Sequence, residues 1–360
     1  VPAPENLSLG SLGITVTGPS VNPPKVKFDF PDGSSATRDI PAEGLSVNLL
    51  FSTVVKYASG GAPAYVGPLD LVPGAVAAYS AARAMSAAWI GQNVIKLRRA
   101  SDDALLDFVA GVDGSVDVAA VATWAGGDAF CHTLYDQSGN GDNAVQATAA
   151  DQPEWVAAGI NGKPGLDFTA GFLATAGDVT LCTAGAMTMF VAAKTTVDIG
   201  TANVAAQILG MDFENWNSQC VGDWTLQRQS GFTTKAQPSI EYSSDQEGDT
   251  LVIIHADNLI ASDVTTASLQ TAFLYDFAVS FDTTSVKING ADWTTLVNTS
   301  GGSVGAMTDR IAIGANDAVT PGDRRFPGII AELLPYNGIG SNPNRLAIRQ
   351  NIAAYYEITL

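Results

Sequence analysis

The sequence predicts an all-β protein: a two-sheet jelly-roll sandwich with a few helices and a small N-terminal β segment. Three observations carry this. Short runs rich in β-branched and aromatic residues recur at fairly even spacing between residues 94 and 336. Turn dipeptides separate them, among them Ser138-Gly139, Asn140-Gly141, Asn161-Gly162 and Asn289-Gly290. With 36 glycines, 17 prolines and 46% hydrophobic residues in 360, the chain suits a loop-rich globular β protein rather than a fibrous or disordered one.

Residues 1–68 read as a separate β-rich segment, punctuated by Pro2, Pro4, Pro19, Pro23, Pro24, Pro31 and Pro41. Its strand candidates are residues 25–30 and 45–56, with a turn at Asp32-Gly33 and an extended arm over 58–68. So few strands do not close a large core, so this segment is expected to dock on another surface. Residues 69–360 form the jelly roll. Residues 73–95 are Ala-rich and predict a helix with Tyr79, Ala82, Met85, Ala88 and Trp89 on one face, ended by Gly91. A strand over 94–99 follows, then a turn in which Arg98 and Arg99 pair with Asp102 and Asp103, then a short helix over 117–124. Residues 134–172 are the densest turn chemistry in the chain and read as a structural corner. Strands are expected near 188–193, 207–211, 225–229, 239–242, 250–255, 271–281, 285–289, 309–314 and 328–336. A closing helix spans 342–356, with Pro343 near its start and Leu346, Ile348, Ile352 and Tyr355 apolar. Trp89 and Trp124 are expected in the core.

Eighteen basic against 36 acidic residues give a formal charge of −18, which argues against a nucleic-acid partner and an anionic membrane surface. It suits neutral partners such as sugars. No stretch is apolar and long enough to span a bilayer. The opening residues, VPAPENLSL, lack the basic and apolar regions of a secretory signal. Cys131, Cys182 and Cys220 are widely spaced with no CxxC, so buried free thiols are expected, and His132 and His255 do not complete a zinc set.

Two carboxylate clusters lie beside aromatic residues. Asp212, Glu214 and Asp223 are flanked by Phe213, Trp216 and Trp224, and Glu241 adjoins Tyr242 with Asp245 and Glu247. A hydrolase built on this chain would draw its acids from Glu214, Asp223 and Glu241, because glycoside hydrolysis needs two carboxyl groups. A glycan-binding surface would use Trp216, Trp224, Asp212 and Tyr242, with indole faces stacking on sugar rings. A solvated acidic loop explains the same clusters in so acidic a chain. The run from Asp136 starts like an EF-hand, but Ala147 stands at the position of the bidentate ligand. No cofactor is therefore expected. A Ca²⁺ site would have to use Asp136, Asn140 or Asp142 with backbone carbonyls. His132 and Cys131 alternate across a strand, and His255 ends one, so neither histidine reads as a base. No Gly-rich phosphate loop and no GxSxG occur.

Three blocks taken together resemble known proteins: AAYSAARAMSAAWIGQNVIKLRRASDDALLDF (residues 77–108), the short helix after Asp117, and LYDQSGNGDNAVQATAADQPEWV with GKPGLDF. They are similar to the catalytic domain of family 54 α-L-arabinofuranosidases. They also resemble bacteriophage and bacterial laminin-G, concanavalin-like proteins that share YDQSGNG. The resemblance implies a two-sheet jelly roll over residues 70–360 and, from the enzymes, arabinofuranosidase activity. The enzymes' adjacent Cys-Cys pair has no counterpart here, and the segment set against their nucleophile strand, residues 224–228, carries no carboxylate. On these grounds the main expectation is a virion-associated structural protein, a capsid decoration or tail component displaying a glycan-binding jelly roll, with no catalytic residues. Residues 1–68 would join other virion proteins, and a homo-oligomer, a trimer, would sit on the virion surface. The alternative is a glycoside hydrolase of the α-L-arabinofuranosidase type, secreted or at a cell surface.

Overall fold

The structure is a computed structural model. It describes residues 65–183, 185–197, 206–211, 221–228, 236–243, 251–255, 270–280, 284–289, 291–296, 307–315, 325–338 and 340–360, and four strands within residues 6–39. The chain divides into two compact units, residues 1–65 and 66–360. In the first, β1 (Asn6–Leu9), β2 (Leu12–Val16), β3 (Lys25–Asp29) and β4 (Ser35–Asp39) form an antiparallel meander in chain order. The alternating run at 25–30 is thus a strand. The run at 45–56, the Asp32-Gly33 turn and most of the arm at 58–68 lie outside the described residues.

The second unit is a mostly antiparallel β-sandwich with few helices, as the turn spacing predicts. After α1 (Pro68–Leu71) come β5 (Tyr79–Ser80), β6 (Asn93–Arg99), β7 (Leu105–Val109), α2 (Val118–Ala125), β8 (Ala129–Leu134) and β9 (Ala144–Val145). Then come β10 (Glu154–Ile160), β11 (Lys163–Asp167), β12 (Leu173–Thr175), β13 (Val179–Leu181), β14 (Ala186–Thr195), β15 (Ala206–Met211) and β16 (Val221–Arg228). The chain closes with β17 (Ala236–Ser243), β18 (Leu251–His255), β19 (Phe273–Ser280), β20 (Thr284–Ile288), β21 (Ala291–Leu296), β22 (Met307–Asp309), β23 (Ile311–Ile313), β24 (Gly328–Asn337) and α3 (Asn342–Tyr356). One ladder runs β7-β6-β8-β9-β12-β23-β15-β16-β17-β18 and the other β10-β11-β24-β14-β19-β20-β21, joined where Phe130 of β8 meets Glu154 of β10. β13 and β22 form a separate ribbon.

β14 is buried along nearly its whole length, so it reads as a continuous apolar run rather than an alternation. Phe190 and Ala192 pack with Leu274, Ile329, Ala331 and Leu334 under Ile348, Ile352 and Tyr356 of α3. Ser341 caps α3 by accepting from the Asn344 N–H, and a proline sits in its first turn. Its inward stripe is Arg345, Ile348, Arg349, Ile352, Ala353 and Tyr356, whereas Leu346 is exposed. Asp117 caps α2 by accepting from the Ala119 and Ala120 N–H groups, and Gly126 ends it at φ 60°.

One predicted element is absent. Residues 73–95 contain no α-helix: they give β5, a short 3₁₀ turn over Ala87–Trp89 and the start of β6. Helix propensity loses here because other groups take the backbone. The Val76 N–H donates to Pro335 O, the Ala81 N–H to Ala331 O and the Ala84 N–H to Gly114 O, while Ala82 O accepts from the Val116 N–H. Ala75, Ala77, Ala78, Ala81, Ala82 and Ala84 are all buried, their methyl groups short enough for an extended chain squeezed between β24, α3 and the 134–143 loop. Packing is so close that a Cβ on Gly67 would lie 2.2 Å from Met85 O. The two tryptophans expected in the core, Trp89 and Trp124, are half-buried, and among the tryptophans whose side chains are described Trp155 is the buried one.

Candidate functional site

The DQSGNG loop is built as a bracket for the buried segment. Asp136, 2% exposed, accepts from the N–H groups of Ala78 (2.8 Å), Ser138 (2.9 Å), Gly141 (3.0 Å) and Asp142 (3.1 Å) and from the Ser138 hydroxyl (2.7 Å). The Gln137 side chain accepts from the Met85 N–H and donates to Arg83 O, and Asn140 Nδ2 donates to Val76 O. The Tyr79 hydroxyl closes the bracket on Asp142 O, and burial pushes that phenol's pKa well up, with Asp136 and Asp142 adding to it. Gly139 and Gly141, at φ 94° and 88°, supply the left-handed turns. A carboxylate ringed by donors does this work without a cation. YDQSGNG and AYSAARA are two halves of one structural device.

Acid chemistry elsewhere in the described fold falls into three kinds. Glu332 of β24 is held by Arg83, whose Nη2 donates at 3.0 Å and whose Nε also donates, and the guanidinium lies 4.3 Å from the Tyr355 ring centroid. Asp276 of β19 accepts from Arg345 Nη2 at 2.8 Å, with Arg349 Nε 3.4 Å away. Burial raises the Asp276 pKa against the pull of both guanidiniums. Both carboxylates serve α3 and the extended segment, so they are structural. A second kind is Glu154, register partner of Asp167, whose pKa is raised by desolvation and then by Asp128 and Asp167.

The third kind is the sequence-predicted set on β16 and β17. Asp223 stands directly opposite Glu241, Trp224 opposite Ile240, and Gly222 opposite Tyr242. β18 continues the rows, with Glu241 opposite Ile253 and Ser239 opposite His255. Since strand neighbours alternate, the register rows of Asp223 and Glu241 also hold Val221, Thr225 and Gln227 of β16, Gln237, Ser239 and Ser243 of β17, and Leu251, Ile253 and His255 of β18. The opposite face holds Trp224, Leu226, Pro238, Ile240, Tyr242, Val252 and Ile254. The register therefore brings Asp223 and Glu241 together and sets Trp224 and Tyr242 on the other side. Asp212, Glu214, Trp216 and Cys220 lie outside the described residues. Sequence reasoning passed over Thr225 and Ser239 and set His255 aside as a strand-end residue, although the register puts all three in the rows of Asp223 and Glu241. Cys131 is a buried free thiol, as expected, Cys182 is buried too, and no group of three or more His, Cys, Asp or Glu positioned for a metal occurs among the described residues.

Comparison with known proteins follows this geometry. Residues 57–222, 166 of the 360, match the family model described as the catalytic domain of α-L-arabinofuranosidase B. Among solved structures, a glutamine mutant of a GH54 α-L-arabinofuranosidase soaked with 4-nitrophenyl α-L-arabinofuranoside is 16% identical, with a TM-score of 0.59. An arabinofuranosidase complexed with arabinofuranosyl-α-1,2-xylobiose is also 16% identical, with a TM-score of 0.57. Each alignment covers 80% of this chain and 65% of the other, so the chain spans less than two thirds of those proteins. At that identity the likeness establishes the fold. A search of curated proteins finds no match. These findings overturn the expectation of a virion-associated structural protein, since they point to an arabinofuranosidase-type domain and nothing in them supports a phage or laminin-G relationship. What they establish is the β-sandwich fold, with residues 57–222 similar to the family model of the α-L-arabinofuranosidase B catalytic domain.

Proposed function

We propose that the chain is a glycoside hydrolase of the α-L-arabinofuranosidase type, with Asp223 and Glu241 as its acid pair. The observation that carries the pair is its register: the two residues are direct cross-strand partners on β16 and β17. Directly opposed residues have Cβ atoms about 4.5–5.5 Å apart. Side chains rooted at that spacing can bring their carboxyl groups to the roughly 5–5.5 Å that retaining enzymes need. One carboxylate attacks the anomeric carbon while the other protonates the departing glycosidic oxygen. The second then activates the water that releases the sugar. The match to the α-L-arabinofuranosidase B catalytic family supports the substrate class. Residues 1–68 are read as an attachment segment, so their deletion is expected to leave turnover of a small aryl substrate unchanged.

The test is hydrolysis of 4-nitrophenyl α-L-arabinofuranoside, followed by anomeric proton NMR of the first-formed product. Release of the α-anomer is expected, with turnover lost in Glu241→Gln and Asp223→Asn. Wild-type levels in both variants would remove the pair. Loss in Glu154→Gln instead would move the site to the Glu154 and Asp167 partners on β10 and β11. An inert wild-type chain on both the aryl glycoside and arabinan would end the hydrolase reading.

A further inference from the structure

The described residues contain a cleft where β6 hands over to its turn and α2 runs into β8. Its walls are Arg99, Ser101, Thr123, Trp124, the Gly126-Gly127 pair and Asp128, around about 530 Å³. Nothing in the mechanism above uses it.

The groups facing this space divide into fixed and available. Arg99 is fixed: its Nε and Nη2 grip Asp102 at 2.8 and 2.7 Å, its Nη1 donates to Trp124 O at 2.9 Å, and its guanidinium lies 5.2 Å from the Trp124 ring centroid. The edge of Phe108 against the same indole, with ring centroids 5.4 Å apart, holds it from another side. Trp124 is therefore a half-exposed aromatic wall locked in one orientation. The available groups are the indole N–H of Trp124, the hydroxyls of Ser101 and Thr123 and the carboxylate of Asp128. None of these makes a hydrogen bond to another described residue. In the last turn of α2 the Ala122 carbonyl is taken by the Gly126 N–H and the Trp124 carbonyl by Arg99, so its remaining carbonyls add acceptors. Gly126 and Gly127 line the cleft without side chains, and a Cβ at either would meet no atom within 4 Å.

The charges select the ligand class. The helix C-terminus is the negative end of its dipole and Asp128 adds a full charge, so an anion is disfavoured. The one cation at the cleft is matched by Asp102. A rigid indole beside a mixed set of unpaired donors and acceptors suits a neutral polyol with an apolar C–H face, which describes a sugar.

We propose that the cleft between the β6 turn and the C-terminal end of α2 is a secondary saccharide-binding site that holds a neutral pentose-containing chain, with Trp124 as its platform. The choice of pentose rests on the arabinofuranosidase reading; the existence of a saccharide site does not. A chain held there keeps a polysaccharide on the protein between hydrolytic events.

Two measurements separate the two claims. The first is binding of arabinotriose and xylotriose to the full chain, read by quenching or shift of tryptophan fluorescence and by calorimetry, with trigalacturonic acid as the anionic comparison. Millimolar-range or tighter binding of a neutral trisaccharide is expected, with at least tenfold weaker binding of the anionic one. Binding should disappear in Gly127→Gln, whose side chain enters open space and fills the cleft without disturbing its neighbours. It should also fall at least fivefold in Trp124→Ala, and persist in Glu241→Gln. The second measurement is turnover: Gly127→Gln should raise KM for arabinan severalfold while leaving 4-nitrophenyl α-L-arabinofuranoside untouched. Undiminished trisaccharide binding in a folded Gly127→Gln chain would overturn the site, as would no detectable binding by the wild type. An inert wild type on both substrates with Gly127-dependent binding intact would sink the hydrolase reading and leave the saccharide site standing.

Discussion

The 134–143 loop and the β16–β17 pair are both rich in polar side chains, yet they are organised in opposite ways. In the loop nearly every polar group faces another: Asp136 collects the N–H groups of Ala78, Ser138, Gly141 and Asp142, and Gln137 takes both the Met85 N–H and Arg83 O. On the sheet, Asp223 and Glu241 are direct cross-strand register partners, and like charges at directly opposed positions generally cost stability. Satisfied polarity marks architecture; polarity placed against itself marks a candidate for chemistry. A sequence motif built on the first kind identifies a fold without naming a reaction.

The largest expected effect tests the architectural side. Arg83→Ala leaves Glu332 buried without its partner, which should cost roughly 3–5 kcal/mol in urea unfolding, enough to threaten folding at physiological temperature. Asp136→Ala removes a charged acceptor from several buried N–H groups and should cost about 3 kcal/mol or more by the same measurement. On the other side of the comparison, Glu241→Gln should lower turnover of the aryl arabinofuranoside by at least about 100-fold, the usual scale of an acid–base or nucleophilic carboxylate, with an unchanged or slightly higher unfolding midpoint. A drop in both activity and stability would make Glu241 architectural and erase the contrast.

The smallest effect divides the loop itself. Asp142 contributes its backbone to the bracket, receiving Tyr79 at its carbonyl and donating its N–H to Asp136, while its own carboxyl has a raised pKa from desolvation and from Asp136. A carboxyl whose folded pKa lies above the unfolded value binds more protons in the native state. Stability therefore falls as pH rises through the window starting near the unfolded value of about 3.9. Asp142→Asn should raise the thermal midpoint slightly at pH 7 and change nothing at pH 3. Equal losses for Asp136 and Asp142 variants would show that the loop is simply acidic, without a dedicated acceptor.

Most of the β architecture is legible from alternation and turn chemistry, because those depend on neighbours in sequence. The strand at residues 273–280, the Asp117 cap and the final helix at 342–356 emerge where their local patterns place them. Residues 75–86 fail the same reasoning. Alanine is the best helix former and also the smallest side chain with a Cβ, and only the tertiary partners at Ala331, Pro335, Asp136 and Gln137 decide which property counts. The site was half legible for a related reason. Asp223 and Glu241 stand out as acids near aromatics, but their pairing is a matter of cross-strand register, which a list of residue types does not contain. The pairing of Ser239 with His255 was hidden in the same way.

The extended alanine segment also sets an order of events during synthesis. Its partners lie on both sides in time: the 134–143 loop follows within about sixty residues, but β24 comes some 250 residues later, as the Arg83–Glu332 and Ser80–Glu332 pairings show. Until residues 328–337 have left the ribosome, the small side chains at 75–86 have no wall to close against, and the backbone groups at Val76 and Ala81 have no acceptor. Such late long-range closure is slow in proteins of high contact order. A nascent chain stalled before residue 328 should be protease-sensitive across residues 75–86, and protection should appear abruptly once β24 and α3 are available, rather than growing strand by strand.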